Sequence, residues 1–258
     1  MNRTAFIERL FGLRGRPALV TGASSGIGRQ LAIALARAGA PVVALARRAD
    51  ALDDVVAEIK AGGGEATALR ADLANEPAGA IAEHAARPFG AIVTLINAAG
   101  VNLREPAEAV THESWDETLA LNLKVPFFLA QSLVKGMINA GGGSIVNFGS
   151  LQSYRAFENG LAYGASKGGV IQLTRAMARE WSAEGVRANA IVPGFFPTEL
   201  TAPVFGDEAV SAAHARATAV GRNGALADLD GTAIFLAADA SRYITGAAIP
   251  VDGGYLAT

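Results

Sequence analysis

The chain alternates from one end to the other between short apolar runs of strand length and longer segments with helical periodicity. Strands dominated by apolar residues are typical of parallel sheets that are covered by helices on both faces. The sequence therefore predicts a single doubly wound α/β domain over residues 1–258, with about seven strands in a parallel sheet. The predicted strands are Ala18–Thr21, Val42–Ala46, Ala66–Ala71, Ile92–Asn97, Ser144–Phe148, Arg187–Ile191 and Ala247–Val251.

Amphipathic segments between these strands predict the helices. The stretch from about 195 to 221 breaks the alternation, and we interpret it as a mobile insertion on the substrate side of the domain. We find no internal repeat and no linker-like change of composition, so a second domain is not expected. The predicted helices include Gly28–Ala38, Ala51–Ala61, Ser114–Asn139 and Tyr163–Ala183.

Composition narrows the possible functions. The formal net charge of −2 gives no electrostatic reason to expect nucleic acid or an anionic membrane as a partner. The chain has no cysteine, which excludes disulfides and thiol chemistry, and its three histidines are too scattered to predict a metal site. Charges interrupt the apolar part of the N-terminal segment, and no run of about 18 apolar residues occurs. We therefore expect a cytoplasmic protein.

A glycine-rich turn, Thr21–Gly28, joins the first strand to the first predicted helix after it. Glycines in such a turn let main-chain N–H groups approach a pyrophosphate at the N-terminus of the helix. The spacing Gly-x3-Gly-x-Gly differs from the commoner dinucleotide fingerprint and lacks the lysine of a P-loop, so an ordinary turn is the competing interpretation. The candidate cofactor-binding residues here are Gly22, Ser24, Ser25, Gly26, Ile27 and Gly28.

The same turn also fits a hydrolase. Gly22–Gly26 has the spacing of a nucleophile elbow around Ser24. However, Gly164–Gly168 fits that pattern too, inside a predicted helix, and His214 alone stands late enough in the chain to serve as a base. A serine hydrolase stays open as a minor alternative, as does a nucleotide-binding module without catalysis.

Tyr163 and Lys167 form the strongest local pattern in the chain. A spacing of four places both side chains on one face of a helix, so the ammonium can lie near the phenol. A nearby cation favours the phenolate, and such a pair can exchange a proton with a carbonyl oxygen while a hydride moves at carbon. The chain has only four lysines, which makes a chance pairing improbable. Ser150 follows a strand at the edge where ligands bind, and its hydroxyl can reach the same oxygen.

Together these features resemble the classical short-chain dehydrogenase/reductase family, over nearly the whole chain from about Leu13 to Tyr255. That resemblance implies a Rossmann-like fold and an oxidoreductase that uses NAD(P). Two small departures are Ala98, where the family usually has asparagine, and Gly149, where a second serine is common. The motifs are TGASSGIG (Thr21–Gly28), Asp72, NAAG (Asn97–Gly100), Asn122, Ser150, YGASK (Tyr163–Lys167), PGFFPT (Pro193–Thr198) and DGG (Asp252–Gly254).

The resemblance also implies roles for individual residues. Tyr163 would be the acid/base, Ser150 would polarise the substrate oxygen, and Asn122 would hold a water in a proton relay. Lys167 would bind the nicotinamide ribose and lower the pKa of Tyr163. The further residues implied for the cofactor are Asp72, Leu73, Asn97, Ala98, Gly100, Pro193, Gly194, Phe196 and Thr198.

The end of the second strand bears on the choice of cofactor. A carboxylate there would bind the ribose diol of NAD, but the strand ends at Ala46 and is followed by Arg47 and Arg48. A guanidinium can bind phosphate through two hydrogen bonds. Arg47 therefore favours NADP, with NAD as the alternative, and a solvated arginine pair is the competing interpretation.

Within the family, the stretch from Gly100 to Thr198 looks most similar to the gluconate 5-dehydrogenase and 2-deoxy-gluconate 3-dehydrogenase branch. This implies a sugar acid or polyol as substrate, with 3-ketoacyl or general carbonyl reduction as the alternative. Arg104 is a candidate partner for a carboxylate, although pairing with Glu105 or Glu108 at the surface is equally consistent with the sequence. Gln152 is a further candidate for substrate binding. The resemblance also implies a homotetramer built through the two long helices.

Overall fold

The computed structural model describes residues 2–258. Seven parallel strands form one sheet in the order β3-β2-β1-β4-β5-β6-β7, which confirms the predicted doubly wound, Rossmann-like α/β domain. Each strand lies within two residues of its predicted boundaries, because short apolar runs between turns leave little freedom in assignment. The strands are β1 (Ala18–Thr21), β2 (Val42–Ala46), β3 (Ala66–Arg70), β4 (Thr94–Asn97), β5 (Gly143–Phe148), β6 (Val186–Pro193) and β7 (Ala248–Val251).

The sheet has its switch point between β1 and β4. Successive strands step outward from β1 to β3, and the chain then returns to place β4 on the other side of β1. In register, Thr21 at the end of β1 stands beside Leu45 on one side and Asn97 on the other. The connections leave a crevice at the carboxyl ends of the strands at such a point, which is where α/β proteins bind ligands.

Helices cover both faces of the sheet. Two large clusters of buried side chains, one on each face, form most of the core, and the central strands contribute alternate residues to each. A small third cluster consists of Ile171, Ala190 and Val192. The helices are α1 (Arg3–Phe11), α2 (Gly26–Arg37), α3 (Ala49–Ala61), α4 (Ala78–Ala86), α5 (His112–Leu119), α6 (Val125–Asn139), α7 (Leu161–Trp181), α8 (Ala202–Phe205), α9 (Glu208–Arg216) and α10 (Asp230–Ala237).

Three elements differ from the sequence prediction. The helix predicted over Ser114–Asn139 consists of α5 and α6, joined by a π-helical turn at Ala120–Lys124. The stretch from 195 to 221, interpreted as an insertion, folds into a 3₁₀ turn followed by α8 and α9. The N-terminal helix α1 was not among the predicted helices, because its exposed face gives no strong apolar period. None of the helices in residues 2–258 has both the length and the apolar character that a membrane crossing requires.

Candidate active site

A cleft of about 1100 Å³ lies at the carboxyl end of the sheet, over the switch point. The glycine turn, the loops after β2 to β6 and the start of α8 all contribute to its walls. Doubly wound α/β proteins bind their ligands at this position. Of the sequence-predicted residues, all line the cleft except Asn97 and Asn122.

Close main-chain packing explains the glycines of the turn. Gly22 has φ +68°, and a Cβ there would come within 2.9 Å of the amide nitrogen of Ala99. A Cβ on Gly28 would overlap the carbonyl of Gly22. The N-cap Ser25 places no side-chain oxygen on the first turn of α2. The N–H groups at this helix end are therefore directed at the cleft, where they can bind an anion.

Tyr163 and Lys167 project from the first two turns of α7 toward the cleft. The Lys167 ammonium lies 5.6 Å from the centre of the Tyr163 ring, as the spacing of four predicted. Lys167 is only 6% exposed, and its Nζ donates to the carbonyl of Phe148 at the end of β5, at 2.8 Å. Burial lowers the pKa of Lys167 to about 8. Since Nζ carries three hydrogens when charged, two donors remain for a ligand in the cleft.

Ser150 stands two residues after β5, at the start of a short 3₁₀ turn (Leu151–Ser153). Its Oγ accepts from the main-chain N–H of Gln152 at 3.2 Å. The turn is fixed to α7 because the Ser153 hydroxyl donates to the carbonyl of Lys167 at 2.7 Å. The loop after β5 and the helix that carries Tyr163 are therefore held in one rigid arrangement.

Opposing effects act on the protonation of Tyr163. Burial raises the pKa of its hydroxyl, while a hydrogen bond with Ser150 and the positive charge of Arg104 lower it. We expected Lys167 to supply the charge that lowers the pKa of Tyr163. In the structure the charge of Arg104 acts on the phenol, while the Lys167 ammonium donates to the carbonyl of Phe148 and lies 5.6 Å from the Tyr163 ring. The predicted effect of Lys167 on the pKa of Tyr163 stays a prediction.

Asn122 lies in the π-helical turn between α5 and α6 and is 1% exposed. Its amide accepts from the N–H of Val101 and donates to the carbonyl of Val101, both at 2.8 Å, and donates to Ser166 at 3.1 Å. A π-helical turn of this kind often marks a functional site. Here it ties the loop after β4 to α7, which orients both walls of the cleft. Its predicted place in a proton relay stays a prediction.

Two other residues that the resemblance assigned to the cofactor have partners within the protein. Asn97 is 4% exposed, and its side chain donates to Asn147 at 2.9 Å, away from the cleft. Asn97 therefore supports the sheet through its Nδ2, while its Oδ1 has no partner among the described residues. Its predicted contact with the cofactor stays a prediction. Asp72 lines the cleft but accepts from the N–H of Ala74 and the amide of Asn75, so its carboxylate also stabilises the turn after β3.

The two arginines after β2 differ in their contacts. Arg47 lines the cleft, and its charge is among the influences that lower the pKa of Asp72. Arg48 forms an ion pair with Glu199 at 2.9 Å and donates to the Ser24 hydroxyl. Both arginines line the cleft, but only Arg48, which the sequence analysis did not single out, is held by a carboxylate.

The substrate end of the cleft contains three buried polar atoms without a partner in the described part of the chain. They are Asn102 Oδ1, Arg104 Nε and Gln152 Oε1. Buried polar atoms are rarely left unpaired in proteins, and those that are often mark a position where a ligand binds. Arg104 has φ +55°, an uncommon conformation outside glycine that concentrates at functional positions. Its only hydrogen bond in residues 2–258 is a long one, 3.4 Å to the carbonyl of Leu200, so the surface pairing with Glu105 or Glu108 is not formed.

An aromatic wall completes the substrate end. Phe195 stacks on His214 with ring centres 3.7 Å apart, and Phe157 meets Phe195 edge-on at 6.1 Å. Burial, and then the charge of Arg104, lowers the pKa of His214, which therefore stays neutral near pH 7. His214 contacts the Tyr255 hydroxyl at 3.4 Å, whereas Ser24 accepts from an arginine. The serine–histidine pair that a hydrolase needs is thus not formed among the described residues.

Sequence reasoning missed several residues of the site. Asn102 and Phe157 gave no pattern that separates them from ordinary loop residues. His214 was considered only as a hydrolase base, and Glu199 was not considered. Only their position in the chain could have indicated them. Each follows a strand at the carboxyl edge of the sheet, where the cleft lies, or belongs to the segment after β6.

Comparisons with known proteins agree with this geometry. A family model described as enoyl-(acyl carrier protein) reductase matches residues 22–256. The chain is 40% identical over 248 residues to the gluconate 5-dehydrogenase of Gluconobacter oxydans, covering 95% of this chain and 96% of that protein. It is 38% identical over 246 residues to the D-threitol dehydrogenase of Mycolicibacterium smegmatis, covering 95% and 94%.

A solved structure extends the likeness to the fold. The crystal structure of a gluconate 5-dehydrogenase from Burkholderia cenocepacia in complex with NADP and tartrate superposes with a TM-score of 0.92. The two chains are 36% identical, and the match covers 97% of this chain and 98% of the other.

Proposed function

The chain belongs to the classical short-chain dehydrogenase/reductase family and is an NAD(P)-dependent oxidoreductase acting on CH–OH groups, and we propose that its cofactor is NADP(H) and its substrate a sugar acid. One observation carries the choice of substrate. Arg104 forms no ion pair with a carboxylate in residues 2–258, lines the same cleft as two buried amide oxygens without a partner, and has a charge that acts on Tyr163. A carboxylate fits the guanidinium, and hydroxyl groups fit the amide oxygens.

The proton chemistry rests on Tyr163 and Ser150. When the alcohol is oxidised, its O–H proton passes to the Tyr163 oxygen and its oxygen becomes the carbonyl. The Ser150 hydroxyl donates to the substrate oxygen and holds it beside the phenol. The bound nicotinamide supplies the other half of the reaction by accepting the hydride from carbon. In the reverse direction the Tyr163 hydroxyl donates its proton to the carbonyl oxygen.

The residues of the cleft fit a dinucleotide. Main-chain N–H groups of the glycine turn face the position of a pyrophosphate, because the Gly22 and Gly28 packing brings the backbone close. The two free donors of Lys167 suit the hydroxyls of a ribose. Arg47 stands after β2 without a carboxylate at the strand end, which favours a 2′-phosphate over a bare ribose diol.

Relatives support the substrate class without deciding it. The gluconate 5-dehydrogenase carries a sugar acid in its name, and the Burkholderia structure holds tartrate, which is a hydroxy acid with two carboxylates. D-threitol, which the Mycolicibacterium relative is named for, is a neutral polyol. A polyol is therefore the second candidate. Arg104 favours the acid, since a neutral substrate would leave its charge in the cleft without a partner. Reduction of a 3-ketoacyl group or another carbonyl is the remaining alternative.

The test compares acid and neutral substrates in wild type and Arg104→Ala. We expect gluconate to lose roughly 10- to 100-fold in kcat/KM in the variant, because a hydrogen bond to a charged group contributes about 1.5–3 kcal/mol. Oxidation of threitol should fall much less, because it loses only the effect of Arg104 on the pKa of Tyr163. Arg87→Ala is the control, because it removes an arginine that lies at the end of α4 and does not line the cleft. Equal losses for both substrates would remove the carboxylate assignment.

Cofactor choice is tested by titrating the protein with NADPH and NADH while following nicotinamide fluorescence. Tighter binding of NADPH supports the proposal, and preference for NADH would keep the family but reassign the role of Arg47. A cytoplasmic location stays a prediction. So does a homotetramer, which agrees with the exposed Trp115, Phe128 and Leu161 on α5, α6 and α7 and is tested by light scattering against four times 26.4 kDa.

A further inference from the structure

The Glu199 carboxylate lies in the cofactor half of the cleft, between the glycine turn and the end of β2. Its two oxygens accept from Arg48 at 2.9 and 3.1 Å, and one of them also accepts from the Ser25 hydroxyl at 3.1 Å. Contacts between these three residues join segments that are 151 and 174 positions apart in the sequence. The Glu199 carboxylate, which comes from the segment after β6, therefore accepts hydrogen bonds from Arg48 and Ser25 on the opposite wall of the cleft.

The donors around Glu199 have the chemistry of a phosphate site. The Arg48 guanidinium binds the carboxylate through two hydrogen bonds, the fork geometry that also suits phosphate. Arg48 also donates to the Ser24 hydroxyl at 3.1 Å, which fixes the guanidinium against the glycine turn. Phosphate oxygens can accept from the same guanidinium and serine hydroxyls.

The ion pair is weak enough to be exchanged. The side chain of Arg48 is 52% exposed and that of Glu199 is 65% exposed. Exposed pairs of this kind contribute little because water screens both charges. A phosphate that carries more charge and more acceptor oxygens than a carboxylate is therefore a competent replacement.

We propose that Glu199 is an internal substitute for the 2′-phosphate of NADP(H), which occupies the phosphate position on Arg48 and Ser25 until the cofactor displaces it. This inference rests on the proposed use of NADP(H). NAD(H) carries no group to exchange, so Glu199 keeps its partners when NAD(H) binds. Glu199 thus lowers the affinity for NADP(H) alone, in contrast to the direct attraction that Arg47 would supply.

Displacement of the Glu199 carboxylate by the 2′-phosphate also affects the substrate end of the cleft. Glu199 begins the 3₁₀ turn Glu199–Thr201, and the carbonyl of the next residue, Leu200, is the acceptor for Arg104 Nη2 at 3.4 Å. When the 2′-phosphate displaces Glu199, this turn loses its attachment to the glycine turn and Arg104 loses its acceptor. Arg104 is then free to bind the substrate carboxylate, so cofactor binding prepares the site for substrate.

The first experiment measures NADPH and NADH dissociation constants for wild type, Glu199→Gln and Glu83→Gln. We expect Glu199→Gln to bind NADPH roughly 1.5- to 5-fold more tightly, because one competing exposed ion pair is removed. NADH affinity should not change. Glu83→Gln is the matched control, since Glu83 forms an exposed pair with Arg87 at 2.8 Å on the far side of the fold. Unchanged NADPH affinity, or an equal gain for NADH, would overturn the inference.

A second experiment isolates the phosphate. Adenosine 2′-monophosphate is added to wild type, and hydrogen exchange of residues 198–205 is measured by mass spectrometry. We expect faster exchange with this probe, no change with adenosine 5′-monophosphate or inorganic phosphate, and fast exchange in Glu199→Gln without any probe. A full effect of inorganic phosphate alone, or no change in either protein, would contradict the proposed exchange. If neither NADPH nor NADH bound, the proposed function itself would be wrong. If NADPH bound with the same affinity to wild type and Glu199→Gln, only this inference would be wrong.

Discussion

At the scale of single residues, the active site is a balance of protonation states around Tyr163. Burial raises the pKa of its hydroxyl, and Ser150 and Arg104 oppose that effect. A phenol with a raised pKa is protonated at neutral pH, which suits donation to a carbonyl oxygen. Oxidation of an alcohol instead requires the phenolate. Oxidation should therefore accelerate as pH rises, and reduction should slow at alkaline pH.

The charge of Arg104 makes this balance testable. Because Arg104 lowers the pKa of Tyr163, Arg104→Ala should raise that pKa and move the alkaline rise of the oxidation profile to higher pH. The measurement is kcat/KM against pH with a neutral polyol, so that lost carboxylate binding does not interfere. Arg104→Lys keeps the charge and should keep the wild-type profile. A profile that is identical in the alanine variant would show that the charge of Arg104 does not reach the phenol.

The sequence predicts well which side chains of the proposed catalytic set lie together, and it predicts charge partners poorly. Tyr163 and Lys167 lie on one helix, so their spacing is enough to place them together. Ser150 follows from the end of β5. By contrast, the contact between Arg48 and Glu199 depends on the path of the chain after β6, which no local pattern encodes. The same holds for Asn97, whose side-chain direction was decided by its buried partner Asn147.

At the scale of elements, the glycine turn depends on the absence of side chains at defined positions. Gly28→Ala would place a Cβ against the carbonyl of Gly22, so the turn would have to shift. Its N–H groups would then no longer be oriented to bind the cofactor. We expect a destabilisation of about 1–3 kcal/mol and NADPH binding weakened by more than tenfold. Urea unfolding and fluorescence titration measure the two effects.

Gly79→Ala is the control for the glycine turn. Gly79 lies near the start of α4 with nothing within 4 Å of a Cβ, so the change should stabilise the protein by up to about 1 kcal/mol and leave cofactor binding intact. If Gly28→Ala behaved like Gly79→Ala, the close packing of the turn would not be required for binding.

The long helix before β5 shows where element prediction fails. Its apolar period continues from α5 into α6, so the sequence predicts one helix. The π-helical turn at Ala120–Lys124 arises from tertiary bonds, since the buried amide of Asn122 pairs with Val101 and Ser166 on neighbouring elements. Such partners are remote in sequence. The hydrophobic period of the sequence therefore cannot predict the π-helical turn, although this turn positions residues of the site.

At the scale of the whole molecule, the buried charge of Lys167 lowers the free energy of unfolding. Burial lowers the pKa of Lys167 to about 8, whereas an unfolded lysine titrates near 10.5. Between these two values the unfolded chain binds more protons than the folded chain, so the free energy of unfolding rises with pH in this interval. At pH 7 the folded protein carries the cost of a buried charge that has one protein hydrogen bond.

Replacing that charge should therefore stabilise the protein while removing its activity. We expect Lys167→Met to raise the free energy of unfolding at pH 7 by on the order of 2 kcal/mol, after allowance for the lost hydrogen bond. The gain should shrink as the pH is raised from 8 to 10. Chemical denaturation across this range is the measurement, and Lys135→Met, on α6, controls for the loss of a lysine that is not buried. A gain that stays constant with pH would argue against a depressed pKa.

The overall topology was the part that the sequence predicted most completely. Seven apolar strands that alternate with helices leave a doubly wound parallel sheet as the natural arrangement, and its switch point locates the cleft. The segment after β6 was less accessible, because α8 and α9 are short and their contacts are with the cleft and not with the main core. Several of its residues line the cleft, so its path shapes the site.

The central claim is that Tyr163 carries the proton in an NADP-dependent oxidation. Its most direct test is to mix wild type and Tyr163→Phe with NADP⁺ and gluconate, follow formation of NADPH by absorbance, and measure NADPH binding on the same preparations. We predict turnover by wild type, a loss of roughly 100- to 10,000-fold in Tyr163→Phe, and unchanged NADPH affinity. Turnover of the variant at the wild-type rate would contradict the account.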